Sequence, residues 1–209
     1  MEVRDNHRGL LKIGVLASGR GSNLQAILDA TLDGRLEAEV AVVISDNPNA
    51  YVLERARMNN IPAFAVELGG KPSKQAYEEE IVRVLREHEV GLVCLAGYMR
   101  IVTPVMLKAF PNRMINIHPS LLPSFQGLHA QGQALEYGVR FSGCTVHFVD
   151  EGVDTGPIII QAVVPVLQDD TEDTLSARIL EQEHRIYVEA VRLYAQGKLT
   201  IKGRRVFYE

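Results

Sequence analysis

Apolar positions along this chain follow two alternating rhythms. Residues 12–17, 40–45, 62–66, 91–96 and 112–117 are short apolar-rich runs, the signature of strands covered on both faces. Between them apolar residues recur every three or four positions. Leu24, Ile27, Leu28 and Leu32 form one stripe, and residues 51–59 carry a second. Tyr77, Ile81, Val84, Leu85 and a partly buried His88 form a third. Each stripe is one face of an amphipathic helix. Thr103 before Pro104 is an N-cap with proline at the first helical position, and that helix stops by Pro111. Strands alternating with helices predict an α/β fold. It is a Rossmann-like open, mostly parallel twisted sheet with helices on both faces, and ligands sit beyond the carboxyl ends of its strands.

The second half has a different rhythm. Residues 130–137 read as a short helix closed by Gly138. Residues 144–149 alternate, with Cys144, Val146 and Phe148 on one face and Thr145, His147 and Val149 on the other. Residues 158–166 follow as a strand, residues 170–196 as one long helix ending at Gly197, and the segments around Lys202-Gly203 as a terminal hairpin. Residues 69–72 form a flexible loop, and Ser73 caps the helix after it. No repeat or linker interrupts the pattern. A chain of 209 residues suits one domain with a sizeable core. We assign residues 12–209 to it, behind a loose polar tail at 1–11.

Charge narrows the partners. A formal net charge of −4 argues against a general nucleic-acid binder, while a local cluster of donors still suits an anionic small molecule. No apolar run approaches the ~18 residues of a membrane span, and the N-terminus has no signal-peptide apolar region. The expected location is the cytoplasm, with small-molecule partners, no nucleic acid and no membrane. Cys94 and Cys144 lie in apolar runs without metal-type spacing, as buried free thiols do in a reducing compartment.

Three stretches carry candidate chemistry. The first strand ends in Ser18-Gly19-Arg20-Gly21-Ser22-Asn23. Ser22 reads as the N-cap of the next helix, and Gln25 completes a capping box. Free N–H groups and the positive end of a helix dipole at such a junction suit a phosphate. A dinucleotide fingerprint needs a small residue where Leu24 stands, although Asp46 occupies the place of a ribose-binding acid. A P-loop would need Gly-Lys-Ser/Thr, which is absent. A monophosphate site, a plain structural turn and, through Asp46, a dinucleotide loop remain open.

The second stretch is Asn116-Ile117-His118-Pro119-Ser120-Leu121-Leu122-Pro123. Separated by one residue, Asn116 and His118 share a face of an extended segment. An amide can donate to a carbonyl oxygen gaining charge, and an imidazole can carry a proton near neutrality. Pro119 and Pro123 stiffen the loop. The plain alternative is a polar turn with a structural histidine. The third stretch, residues 150–157, is an acidic loop with too few regularly spaced oxygens for an EF-hand. At the end of the fourth strand, Tyr98 and Met99 can face a flat heterocycle, and the backbone at 100–102 can offer donors and acceptors.

The string from Asn116 to Pro123 resembles the signature of the formyltransferases that use 10-formyltetrahydrofolate. The continuation Gly127-Leu128-His129-Ala130 and the Gly-rich loop resemble the branch acting on phosphoribosylglycinamide (glycinamide ribonucleotide) in purine synthesis. The resemblance runs from about residue 12 to about residue 196. It implies direct transfer from 10-formyltetrahydrofolate, the co-substrate, to the substrate amine through a tetrahedral oxyanion, with no metal and no nicotinamide. By resemblance Asn116 and protonated His118 donate to the oxyanion. Asp154 orients His118 and raises its pKa. Gly21, Ser22, Asn23 and Leu24 hold the substrate phosphate. Leu180, Glu181, Gln182 and Glu183 border the ribonucleotide, with Glu183 on sugar hydroxyls or the amine. Leu180 stands where a polar residue is expected, so a contact there must come from backbone. The folate falls to Tyr98, Met99, Arg100, Ile101, Val102, Asn116, Asp150, Glu151, Gly152, Val153 and Asp154. Lys74 either meets its glutamate tail or is simply solvated. A cis bond is expected at Leu122–Pro123, Gly132 weakens the short helix, and the assembly is a monomer or weak homodimer.

His129 and His147 are left over. Each is a second group holding the loop near His118, or, for His147, a satisfied core histidine. Zinc on His118, His129 and His147 has no supporting motif. Among rivals, methionyl-tRNA formyltransferase would need a further C-terminal domain and a basic surface. Formyltetrahydrofolate hydrolase would bring an N-terminal regulatory domain. A nicotinamide-dependent oxidoreductase fails at Leu24. A non-catalytic nucleotide-binding module has no need of Asn116, His118 and Asp154 together. The basic residues Lys202, Arg204 and Arg205 have no account beyond solubility.

Overall fold

The computed structural model describes residues 9–208. The expected tail therefore lies outside the described residues as far as residue 8. The chain then runs β1 (Leu11–Leu16), α1 (Ser22–Leu32), β2 (Ala38–Ser45), α2 (Tyr51–Met58), β3 (Ala63–Ala65), α3 (Lys74–Glu87), β4 (Leu92–Leu95), α4 (Pro104–Ala109) and β5 (Met114–His118). It continues through α5 (Ala130–Tyr137), β6 (Phe141–Phe148), β7 (Ile158–Pro165), α6 (Glu172–Ala195), β8 (Leu199–Lys202) and β9 (Arg205–Tyr208).

All nine strands form one sheet in the order β3-β2-β1-β4-β5-β6-β7-β9-β8. The first five are parallel, so the chain reverses direction across the sheet between β1 and β4. The β6 strand is antiparallel to both β5 and β7, and β9 returns parallel to β7. The predicted open, mostly parallel sheet is thus the observed one, with an antiparallel extension.

The continuous apolar runs are explained by burial on both faces. Ile13, Val15, Val43, Leu92 and Cys94 face α1, α2 and α6. Leu16, Val42, Ile44, Val93 and Leu95 face α3 and α4. The hydroxyl of Tyr187 on α6 reaches across to donate to the carbonyls of Leu95 (2.9 Å) and Ile115 (3.3 Å), which satisfies a fully buried polar group. Cys94 and Cys144 are free and buried, and burial pushes both thiols up to about 12.

Helix ends follow local chemistry. Ser73 and Thr103 accept the backbone N–H of Ala76 and Val105 as expected. Ser22 differs. The N-cap of α1 is Gly21 in the left-handed region, φ 73°. The Gln25 side chain donates to Asp29 and accepts from Arg55, so no capping box forms. A Cβ at position 21 would stand 2.6 Å from Val52 Cγ2, so only glycine lets the loop press against α2. The long helix starts at Glu172 behind a Thr171/Thr174 capping box. Asp170 is instead engaged by the Arg178 guanidinium, which holds its carboxyl well below the usual range. The β6 strand begins earlier than its alternation indicated, because both its faces are buried from Ser142 onward. Residues 68–70 form a 3-10 turn within the glycine-containing loop.

Candidate active site

The β5 strand carries Asn116 and His118 on one face at the carboxyl edge of the sheet. Antiparallel register sets His147 of β6 opposite Asn116, and Thr145 opposite His118. The loop after β5 is pinned to the sheet by Thr145. Its hydroxyl donates to Ser120 O (2.7 Å) and accepts from the N–H of Leu122 (3.1 Å). Gln161 donates to Leu122 O at 3.0 Å. The Leu122–Pro123 bond is cis.

Asp154 reaches this face from the acidic loop after β6. Its Oδ2 lies 3.3 Å from His118 Nδ1, and its Oδ1 lies 3.4 Å from Asn116 Nδ2 and 3.6 Å from His147 Nε2. The Gly127 N–H donates to Oδ2 at 2.9 Å, and Gln126 donates to the Asp154 carbonyl at 3.1 Å. The carboxylate therefore joins two loops and two strands. Phe125, His129 and Asp154 all have φ between 54° and 57°, a left-handed conformation that costs non-glycine residues energy. Gly156 lets the acidic loop return against β6, since a Cβ there would meet Phe148 O at 1.7 Å.

His118 is only 4% exposed. Its Nε2 donates to the Phe125 carbonyl at 2.8 Å, which fixes the proton on that nitrogen of the neutral ring and turns Nδ1 to Asp154. Expectation and structure part here. Burial is the largest influence and holds the imidazole below its ordinary value, outweighing the Phe125 carbonyl and the Asp154 charge. Asp154 is also depressed. Burial raises it, but the nearby His147 ring, the Gly127 N–H and the His118 imidazole outweigh that. The resting pair is a carboxylate beside an imidazole whose charged form is disfavoured, rather than one whose pKa is raised.

The sequence leaves His147 open, and the structure makes it part of this cluster. Its Nδ1 donates to Phe148 O at 2.8 Å, so in the neutral ring Nε2 accepts, and Asn116 Nδ2 stands 3.2 Å away. The cross-strand register with Asn116 was the signal that could have singled it out, and register is invisible without the pairing of β5 and β6. His129 stands exposed at the start of α5.

The Gly-rich loop follows β1, two strands over from β5. Its Ser18 hydroxyl accepts the Met99 N–H at 2.9 Å, tying the loop to the segment after β4. The N–H groups of Ser22, Asn23 and Leu24 are in the first turn of α1, where no intrahelical acceptor exists. The Asn23 side chain turns inward and donates to Glu183 Oε2 at 2.9 Å. Burial pushes the Glu183 carboxyl up against that bond, and Asn23 Oδ1 has no partner. On α6, Leu180 is half-buried, Glu181 is exposed, and Gln182 accepts from Arg185. Of these four, Glu183 is the side chain brought to the Gly-rich loop.

Beyond β4, Met99 and Ile101 are exposed at 65% and 59%, and Val153 of the acidic loop at 43%. Tyr98 and Val102 are half-buried. Arg100 Nε donates to Asp46 Oδ2 at 2.7 Å, so the acid in the ribose position is already paired. Asp150 ties its own loop by accepting from the Gly152 N–H and the Thr155 hydroxyl, while Glu151, Gly152 and Val153 are exposed. Lys74 is exposed in the first turn of α3.

Residues 11–191 match the formyl transferase family. The chain is 47% identical over 192 residues to a trifunctional purine biosynthetic protein adenosine-3 of Drosophila melanogaster. That alignment covers 91% of this chain but spans only 14% of that relative. It is 45% identical to phosphoribosylglycinamide formyltransferase of Bacillus subtilis, over 87% of this chain and 93% of that one. The crystal structure of glycinamide ribonucleotide transformylase 1 from Symbiobacterium toebii superposes with a TM-score of 0.95 at 57% identity, covering 97% of this chain and 95% of that one. With the family match running through β5, the acidic loop and most of α6, this chain belongs to the formyl transferase family.

Proposed function

We propose that the chain transfers the formyl group of 10-formyltetrahydrofolate to the amine of phosphoribosylglycinamide, giving formyl-phosphoribosylglycinamide and tetrahydrofolate, in purine synthesis. The observation that carries this is the cluster of Asn116, His118 and Asp154, in a chain 45% identical to a phosphoribosylglycinamide formyltransferase over nearly its whole length. The substrate phosphate takes the free N–H groups of residues 22–24, with Gly21 allowing close approach. Glu183 lies on the sugar or amine side, and the exposed Met99, Ile101 and Val153 cover the pterin. The folate is a co-substrate, both partners are small molecules, and the working place is the cytoplasm, as a monomer or weak homodimer.

The amine nitrogen attacks the formyl carbon, whose oxygen becomes an oxyanion. The bond to the folate nitrogen then breaks, and the proton lost by the amine ends on that nitrogen. The donors for the oxyanion are the Asn116 amide and the His118 imidazole. In the structure these N–H groups are engaged with Asp154, His147 and the Phe125 carbonyl. They are held in place without an unsatisfied buried donor, and the formyl oxygen takes over one of these bonds. Such preorganised donors are worth more to a developing charge than to the ground-state carbonyl.

The test is an absorbance assay for folate product with each substrate left out in turn. Product only when both are present supports the transferase. Product from the folate alone means a hydrolase, and no product in any mixture returns the chain to a nucleotide-binding module.

A further inference from the structure

The terminal hairpin lies beyond the family match, which ends at residue 191, yet it touches the loop that carries Asp154. Lys202 pairs with Arg205, leaving Gly203 and Arg204 as a two-residue turn. Gly203 has φ 61°, the first-position glycine that a tight hairpin of this kind demands. The β9 strand joins the sheet at one point, Arg205 opposite Ile158 of β7. That register sets Arg204 beside the entry to β7, where its Nη2 donates to the Thr155 carbonyl at 2.8 Å. Thr155 follows Asp154 directly, and Asp154 holds a left-handed backbone with φ 54°. A conformation of that kind persists only where neighbours hold it.

We propose that Arg204 is a positioning residue: its guanidinium braces the Thr155 carbonyl and so holds the Asp154 loop against β5. The inner side of the loop is held by Gly127 and Gln126, and its tip by Asp150 on Gly152 and Thr155. Arg204 is the tie from the sheet edge. Arginine suits the place because its planar head keeps several donors fixed in direction. Arg205 makes no such contact; it stacks on Phe207 at 4.8 Å. The consequence for catalysis rests on the role proposed above for Asp154.

The experiment compares Arg204→Ala, Arg204→Lys and, as control, Arg205→Ala in the full chain by amide hydrogen exchange and steady-state kinetics. Arg204→Ala speeds exchange at residues 150–157 and lowers kcat about 2- to 10-fold, the size of one exposed hydrogen bond. KM for the ribonucleotide stays unchanged. Arg204→Lys recovers part of both effects, and Arg205→Ala matches the wild type. Unchanged exchange at 150–157 in Arg204→Ala overturns the brace, as does a lower melting temperature with unchanged kcat. If the wild type transfers no formyl group while exchange responds as stated, the brace stands and the functional reading falls instead.

Discussion

His118 Nδ1 stands 3.3 Å from Asp154 Oδ2 while Nε2 of the same ring is held 2.8 Å from the Phe125 carbonyl. Both ring nitrogens thus face acceptors, which favours the imidazolium, yet burial wins and holds the ring below its ordinary pKa. Asp154→Asn removes a charge that favours the cation. The His118 titration, followed by NMR, starts below 6.5 in the wild type and moves lower still in the variant. An unchanged titration would show that Asp154 does not act on this ring, and an upward move would reverse the sign of its effect.

The same shift sets a sign for stability. The unfolded chain, with histidine near ~6.5, takes the proton before the folded chain does. Stability linked to His118 is full above that value and is lost as pH falls through the depressed folded value. The stability difference between wild type and His118→Gln, measured by denaturant unfolding, shrinks from pH 7 toward acid. A difference that grows would reverse the assignment.

Asn116→Ala and His118→Ala each lower kcat on the order of 100- to 1000-fold, the usual loss for one oxyanion donor. Activity within a few-fold of wild type in either variant would sink the donor role for that residue.

Glu183 and Asn23 are buried partners. Glu183→Ala strands the Asn23 amide and costs about 1–3 kcal/mol, visible in denaturant unfolding, and raises KM for the ribonucleotide. Glu183→Gln keeps most of the stability. If both variants bind the ribonucleotide like wild type, Glu183 belongs to the core alone.

A Cβ at position 156 would overlap Phe148 O at 1.7 Å, so Gly156→Ala displaces the acidic loop. The expected result is a fall in kcat comparable to losing Asp154, with α/β secondary structure retained by circular dichroism. Wild-type kcat would show that the loop tolerates displacement.

The parallel half of the fold was legible because strands buried on both faces leave uninterrupted apolar runs, and stripes such as Tyr77, Ile81 and Leu85 face one core. The start of β6 was not, because burial of both faces from Ser142 on erases alternation. The shared face of Asn116 and His118 was readable from their spacing, while their reading as a site rather than a polar turn came from the family resemblance. The resemblance also named Asp154, which stands 3.3 Å from His118, but the other neighbours of the site were not legible. The Phe125 carbonyl, the register of His147 and the reach of Arg204 come from chain segments brought together only by folding. The raising effect of Asp154 on His118 was anticipated from the resemblance and is present, but the burial that outweighs it was not legible.

The most direct test follows the carbon itself. 10-Formyltetrahydrofolate labelled at the formyl carbon is mixed with phosphoribosylglycinamide and enzyme, and the products are separated and weighed by mass spectrometry. Label in the ribonucleotide, lost together in Asn116→Ala and His118→Ala, is the predicted result. Label released as formate, with the ribonucleotide unchanged, would contradict formyl transfer and identify hydrolysis instead.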